Sequence, residues 1–304
     1  MGTLAGVAKC ARETRQAQAL ADREESWLRL DFERDSAGGR TVLASSHQEP
    51  PLKVVRAFTL EDGAALVHLH NVSGGVLGGD RLGLAVRVGP GACAQVTTTG
   101  ATRIYRPRDG AGTALQANEV TIGENGLLEY LPDPLIPFAG ARFTQRTSIR
   151  LAQGAGVFWW EMVMPGREAR GEIFEYASLE LRTDLLAMGR PIAMERVRLE
   201  PRNRSLRLLA RLGAFRTWAS FYICRVGVRA GVWLELERDL REILGGLSRN
   251  AETLWGISAL VEHGLVARCV AKRGRDVLPG LQAIWSAAKQ RLFGRVAVPP
   301  RKVN

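Results

Sequence analysis

Three short segments of this chain concentrate the side chains that could do chemistry. The first, Gly74-Gly75-Val76-Leu77-Gly78-Gly79-Asp80, brackets a dipeptide with two glycine pairs and ends on one carboxylate. In the second, Gln95-Val96-Thr97-Thr98-Thr99-Gly100-Ala101-Thr102-Arg103-Ile104-Tyr105-Arg106, a hydroxyl cluster leads into a cationic and aromatic tip. The third, Leu128-Glu129-Tyr130-Leu131-Pro132-Asp133-Pro134-Leu135-Ile136-Pro137-Phe138, holds two acids on a path that its prolines keep extended. A weaker fourth is Gly171-Glu172-Ile173-Phe174.

Each segment can be set against known chemistry. A phosphate loop would need Lys and Ser/Thr where Asp80 and Arg81 stand, and a helix where a strand pattern follows. The glycine pairs instead supply positive φ or close backbone approach, delivering Asp80 at the exit of a tight bend. Acyl transfer would need a nucleophile with its base. Thr97, Thr98 and Thr99 offer hydroxyls, but there is no G-x-S-x-G elbow and no histidine within these segments. The threonine run equally fits strand propensity and cross-strand hydroxyl pairing. Asp80 with Glu129 or Asp133 could form the acid pair of a carboxylate-based β-solenoid enzyme, a reading that no motif supports. His68 and His70 share one face of a strand, where they could hold a metal or simply pack.

The elements around these segments are mostly strands. Residues 1–26 read as a loose leader. Trp27 to Glu33 alternates strictly, and a turn at Ala37-Gly38-Gly39 leads to a second strand through Thr41-Val42-Leu43. To about Glu200, short strands recur near every ten residues, closed by turns such as Gly89-Pro90-Gly91, Arg108-Asp109-Gly110, Gly123-Glu124-Asn125-Gly126 and Gly189-Arg190-Pro191. Past Pro201 the texture changes. Leu234 to Leu247 has helical spacing and ends near a glycine pair, Thr253 to Val270 reads as a hairpin, and a last helix runs from about Asp276 to Phe293. The expected organisation is a β-rich body over 27–200 with a basic α+β part over 201–304 packed on it.

Composition narrows the classes. A chain of 304 residues can bury a full core. Its net charge of +11 comes from the residues after Pro201, the preceding part being close to neutral. Aromatics do not punctuate the basic residues, so a solvated face or an acidic protein partner is expected; a basic β-rich nucleic-acid-binding module is the lesser alternative. Every apolar stretch is interrupted before spanning length and no signal-peptide pattern is present, so a cytoplasmic protein without a membrane partner is expected. Four scattered cysteines read as reduced structural thiols.

Taken in order, these segments resemble the urease accessory protein UreD (UreH) family. The resemblance is carried by Gly74-Gly75-x-x-Gly78-Gly79-Asp80-x-Leu82, Thr97-Thr98-x-x-Ala101-Thr102-x-x-Tyr105-Arg106, and Glu129-Tyr130-Leu131-Pro132 continuing to Ile136-x-Phe138. Further agreement comes from Gly166-Arg167 with Gly171-Glu172-x-Phe174, Gly189-Arg190-Pro191 with Glu195-Arg196, and Trp255-Gly256 with the Trp285 helix and Pro299-Pro300-Arg301.

The resemblance implies a mainly β, β-helix-like superhelical strand body with two helices in the C-terminal part. It also implies a scaffolding chaperone, not an enzyme, that binds UreF, reaches the GTPase UreG through UreF, and docks on apo-urease for nickel insertion. No cofactor would be held tightly; Ni²⁺ would pass through a polar tunnel. By resemblance Asp80 and Glu172 lead the tunnel candidates, followed by Glu129, Asp133 and Thr98. Gly74, Gly75, Gly78, Gly79, Thr97, Tyr105, Arg106 and Pro132 are motif positions with structural work. Sparse histidines and unclustered cysteines suit weak transit better than storage.

Overall fold

The chain alternates between two sheets. The structure, a computed structural model, describes residues 26–35, 39–108, 111–248 and 251–300. Nearly all of the expected leader, Ala37-Gly38, Asp109-Gly110 and the residues from Arg301 onward lie outside the described residues.

The strands are β1 (Ser26–Arg34), β2 (Thr41–Gln48), β3 (Leu52–Lys53), β4 (Ala57–Thr59), β5 (Ala65–Asn71), β6 (Arg81–Val88), β7 (Cys93–Thr98), β8 (Thr102–Ile104) and β9 (Ala114–Ile122). They continue as β10 (Leu127–Tyr130), β11 (Leu135–Pro137), β12 (Arg142–Leu151), β13 (Gly156–Val163), β14 (Ser178–Ala187), β15 (Arg190–Leu199) and β16 (Thr217–Arg225). Helix α1 (Ala230–Leu247), the hairpin β17 (Thr253–Ala259) and β18 (Gly264–Ala271), and helix α2 (Leu278–Phe293) close the chain.

The first sheet has the order β15-β14-β12-β9-β6-β1-β2, and the main path of the second is β17-β18-β16-β13-β10-β7-β5-β3. From β5 to β14 the long strands fall in the two sheets by turns. Those of the first sheet, β6, β9, β12 and β14, run parallel to one another. So do β5, β7, β10 and β13 of the second. The glycine-rich turns therefore cross from sheet to sheet and stack into a column. Gly91 N donates to Glu124 O at 2.8 Å, Asn125 N to Gln153 O at 3.0 Å, and Gly156 N to Gly126 O at 2.8 Å. The second sheet continues without a break into β16, β18 and β17, antiparallel neighbours that follow Pro201 in the chain.

Three layers result, with two cores. Along β13, Val157, Trp159 and Val163 join the core between the sheets, whereas Phe158, Trp160 and Met162 join the core beneath the helices. That double covering explains why β13 reads as an unbroken apolar run rather than an alternating one. Helix α1 buries Trp233, Leu236, Leu240 and Leu244, one stripe at helical spacing. Each such burial contributes about 1.5–3 kcal/mol. The helix starts before the expected Leu234, and Gly245-Gly246 lies inside its last turn; Ser248 Oγ donates to Leu244 O at 2.8 Å just beyond. Among the described residues no helix is long and apolar enough to cross a membrane.

Candidate functional site

The first two chemistry-bearing segments meet at one end of the strand body. Val76 bridges Ile104: Val76 N donates to Arg103 O at 2.8 Å and Tyr105 N to Val76 O at 2.9 Å. A Cβ on Gly75 would sit 2.5 Å from the Tyr105 ring and 2.6 Å from Arg103 O; one on Gly78 would sit 2.3 Å from Pro107 Cα. Close approach is therefore what these two glycines provide, as the sequence suggests. Gly74 and Gly79 have φ of 76° and 85°. Tyr105 also donates to Gly74 O at 3.3 Å. Asp80 caps the bend, its Oδ2 accepting from Leu77 N at 2.8 Å.

The third and fourth segments join the same end. Thr97 Oγ1 donates to Leu131 O at 2.7 Å, and Pro132 O accepts from Trp160 Nε1 at 2.9 Å. Thr98 Oγ1 donates to Asp133 Oδ2 at 3.0 Å while accepting from Asp133 N at 2.8 Å. The Tyr105 ring meets Phe138 edge-on at 4.9 Å, and the Arg167 guanidinium lies 4.3 Å from the centre of the Phe138 ring. Arg167 in turn forks onto both carboxylate oxygens of Glu172, whose Oε2 also accepts from Ala139 N at 3.1 Å. Those hydrogen bonds, the Arg167 one foremost, hold the Glu172 carboxyl below its usual range. Arg106 is exposed.

Glu129 lies apart from this group. It faces the helical layer, 1% exposed, and accepts from Trp285 Nε1 at 2.8 Å, Lys289 Nζ at 3.1 Å and Gln95 Nε2 at 3.1 Å. Lys289, itself fully buried, also reaches Asp62 Oδ2 at 3.2 Å. Burial pushes the Glu129 carboxyl up, and the Lys289 charge opposes that push. Asp80, Glu172 and Glu129 thus sit in three different settings. Among them no acid pair shares a proton or a common ligand.

A polar seam that sequence reasoning missed begins beside the glycine bend. A cavity of about 260 Å³ is lined there by Gly74, Gly75, Thr98, Arg103, Gln116 and Tyr130 among others. From Gln116 on its wall, Nε2 donates to Asn118 Oδ1 at 3.0 Å, and Asn118 Nδ2 donates to Thr147 Oγ1 at 3.1 Å. The register sets Asn118 opposite Thr147, Thr147 opposite Thr183, and Thr183 opposite Glu195, one straight row across the inner face of the first sheet. Across the gap, Gln145 donates to Glu161 on β13, and Ser220 Oγ donates to Glu195 Oε1 at 3.3 Å. Arg268, 2.8 Å from Glu195, stands at the far end with its side chain half exposed.

Burial lifts the Glu161 carboxyl to about 7, with the charge of Glu195 adding to the push. A carboxyl so placed is about half protonated at neutral pH. The available signal was polar residues on otherwise apolar inward faces: Gln116 and Asn118 in β9, Gln145 and Thr147 in β12.

Among the described residues soft metal ligands do not gather. His68 meets the Phe58 ring edge-on at 5.8 Å, and His70 lies on the cavity wall. Among the described residues no group of three or more His, Cys, Asp or Glu could hold a metal ion. Cys93, Cys224 and Cys269 are unpaired and buried, and burial pushes their thiols up, that of Cys269 to about 12.

Comparison with known proteins covers nearly all of the chain. The model of the UreD urease accessory protein family matches residues 24–304. A protein of Herpetosiphon aurantiacus named urease accessory protein UreD is 43% identical over 288 residues, covering 95% of this chain and 99% of that protein. A second relative, urease accessory protein UreD 2 of Brucella abortus, is 29% identical over 282 residues and 89% of either chain. The urease accessory protein UreD of Cenarchaeum symbiosum is 30% identical over 272 residues, 87% of this chain and 92% of its own.

Proposed function

The chain belongs to the UreD family of urease accessory proteins, and from that premise we propose that it is a non-catalytic scaffold of urease maturation, holding apo-urease and the other accessory proteins together while Ni²⁺ passes between its sheets. In this reading it binds UreF, meets the GTPase UreG through UreF, and works in the cytoplasm. It lacks a phosphate-cradling loop of its own, so nucleotide energy comes from the partner.

The observation that carries the transit reading is the polar seam from Gln116 to Glu195, lying between the sheets within their apolar core. Carboxylate, amide and hydroxyl oxygens are weaker partners for Ni²⁺ than imidazole or thiolate, and weak successive sites let an ion leave as readily as it enters. In this reading Thr98 on the cavity wall and Asp133 bonded to it stand at the start of the route, with Asp80 and Glu172 on loops at the same end of the body. Glu161 and Glu195 supply the charge farther in. Glu129 is neutralised by Lys289 beneath α2, and its part here is to fasten that helix.

The test is co-expression of urease with and without this chain in nickel-supplemented cells. Urease made without it is expected to be inactive and poor in nickel; full activity in its absence would sink the scaffold reading.

A further inference from the structure

The outward face of the first sheet carries a charge arrangement that the maturation reading leaves unused. Strand β12 alternates strictly, so Arg142, Thr144, Arg146, Ser148 and Arg150 point away from the buried positions. The register sets Arg146 opposite Arg182 on β14, and Arg182 opposite Arg196 on β15. Neighbouring strands lie about 4.8 Å apart, so three arginines occupy about 10 Å of sheet. Like charges directly opposite one another destabilise a sheet.

Two of the three are relieved locally. Arg182 pairs with Glu180 at 2.5 Å, and Arg196 with Asp184 at 2.6 Å. Arg142, Arg146 and Arg150 have no ion-pair partner among the described residues. In the adjoining row Arg198 is 72% exposed and bound to Glu200 alone. Among the described residues, the three arginines of β12 are therefore left unpaired on the outward face of the sheet, where Glu119, opposite Ser148, is the one acid of the adjoining strand β9.

We propose that this face docks an acidic segment of a protein partner, whose carboxylates pair with the arginine forks. Guanidinium groups take carboxylates in bidentate fashion, which suits a fixed array better than flexible lysines would. A second copy of the chain cannot cover the face with the same surface, since the two arginine rows would repel. Nucleic acid is disfavoured because β12, β14 and β15 present no aromatic outward on which bases could stack.

The experiment uses the full chain, a fluorescein-labelled polyglutamate peptide, poly(dT) and phosphatidylserine vesicles. It involves neither nickel nor urease, so it stands or falls apart from the maturation reading. Combining Arg142→Thr, Arg146→Thr and Arg150→Thr breaks no ion pair and introduces good strand formers. Peptide binding is expected to weaken about tenfold and to lose part of its salt dependence, with a thermal midpoint no lower than wild type. Should the triple variant fail to fold, Arg146→Gln alone is expected to weaken binding about threefold. Unchanged peptide binding by a folded variant overturns the proposal. So does a wild-type protein that binds no peptide, or that captures poly(dT) or vesicles more tightly than the peptide.

Discussion

Glu161→Gln tests the electrostatics of the buried seam. The carboxyl lies between the sheets, 6% exposed, and its folded value of about 7 stands against an ordinary 4.5. Between those values the folded protein keeps a proton that the unfolded chain has released. Stability supplied by this group is therefore present below about pH 4.5 and lost as pH rises toward 7. At about 1.4 kcal/mol per unit, the full loss is about 3 kcal/mol. Glutamine keeps an oxygen for the Gln145 donor and cannot ionise. Reversible urea denaturation of both proteins at about pH 5 and about pH 8 reads the effect: the variant should gain about 2–3 kcal/mol on wild type between the two. Glu172 and Glu200, whose carboxyls are held low, act in a more acid window and cancel in the comparison. A stability difference that stays the same at both pH values would refute the reasoning.

Other perturbations probe the framework. Lys289→Met strands Glu129 and Asp62 without their buried cation; the expected cost is about 3–5 kcal/mol, much of it recovered in the double variant with Glu129→Gln, both read by urea denaturation. Gly78→Ala drives a methyl onto Pro107 and should cost about 1–3 kcal/mol, seen as a lowered thermal midpoint. Asp80→Ala combined with Glu172→Ala should leave capture of the accessory partners intact while lowering the nickel content of co-expressed urease by metal analysis. Unchanged nickel would take both acids off the route.

How far the sequence reaches depends on the range of the interaction. Strand alternation and the helical stripes are local patterns, so β12, α1 and α2 could be read directly from their residues. Period-two alternation says which residues share a face but not which sheet a strand joins, so the alternation between two sheets was not legible. The glycine bend announced close backbone approach, yet its partners Tyr105 and Pro107 come from a later segment. Glu129 is a candidate by resemblance, and its contact with Lys289, 160 residues away, is invisible to local reading. On β12 the arginines mark the outward face, and Gln145 and Thr147 then stand out as polar intrusions on the inward one. Without the register to Asn118, Thr183 and Glu195 those intrusions looked like ordinary strand residues.

The most direct test of transit is to make the seam apolar without changing its shape. Urease co-expressed with the Asn118→Leu, Thr147→Val and Thr183→Val combination should still be captured by the accessory complex. Its nickel content, measured by metal analysis of purified urease, should fall to the level found without this chain. A variant that folds, assembles and delivers the wild-type amount of nickel would contradict passage between the sheets.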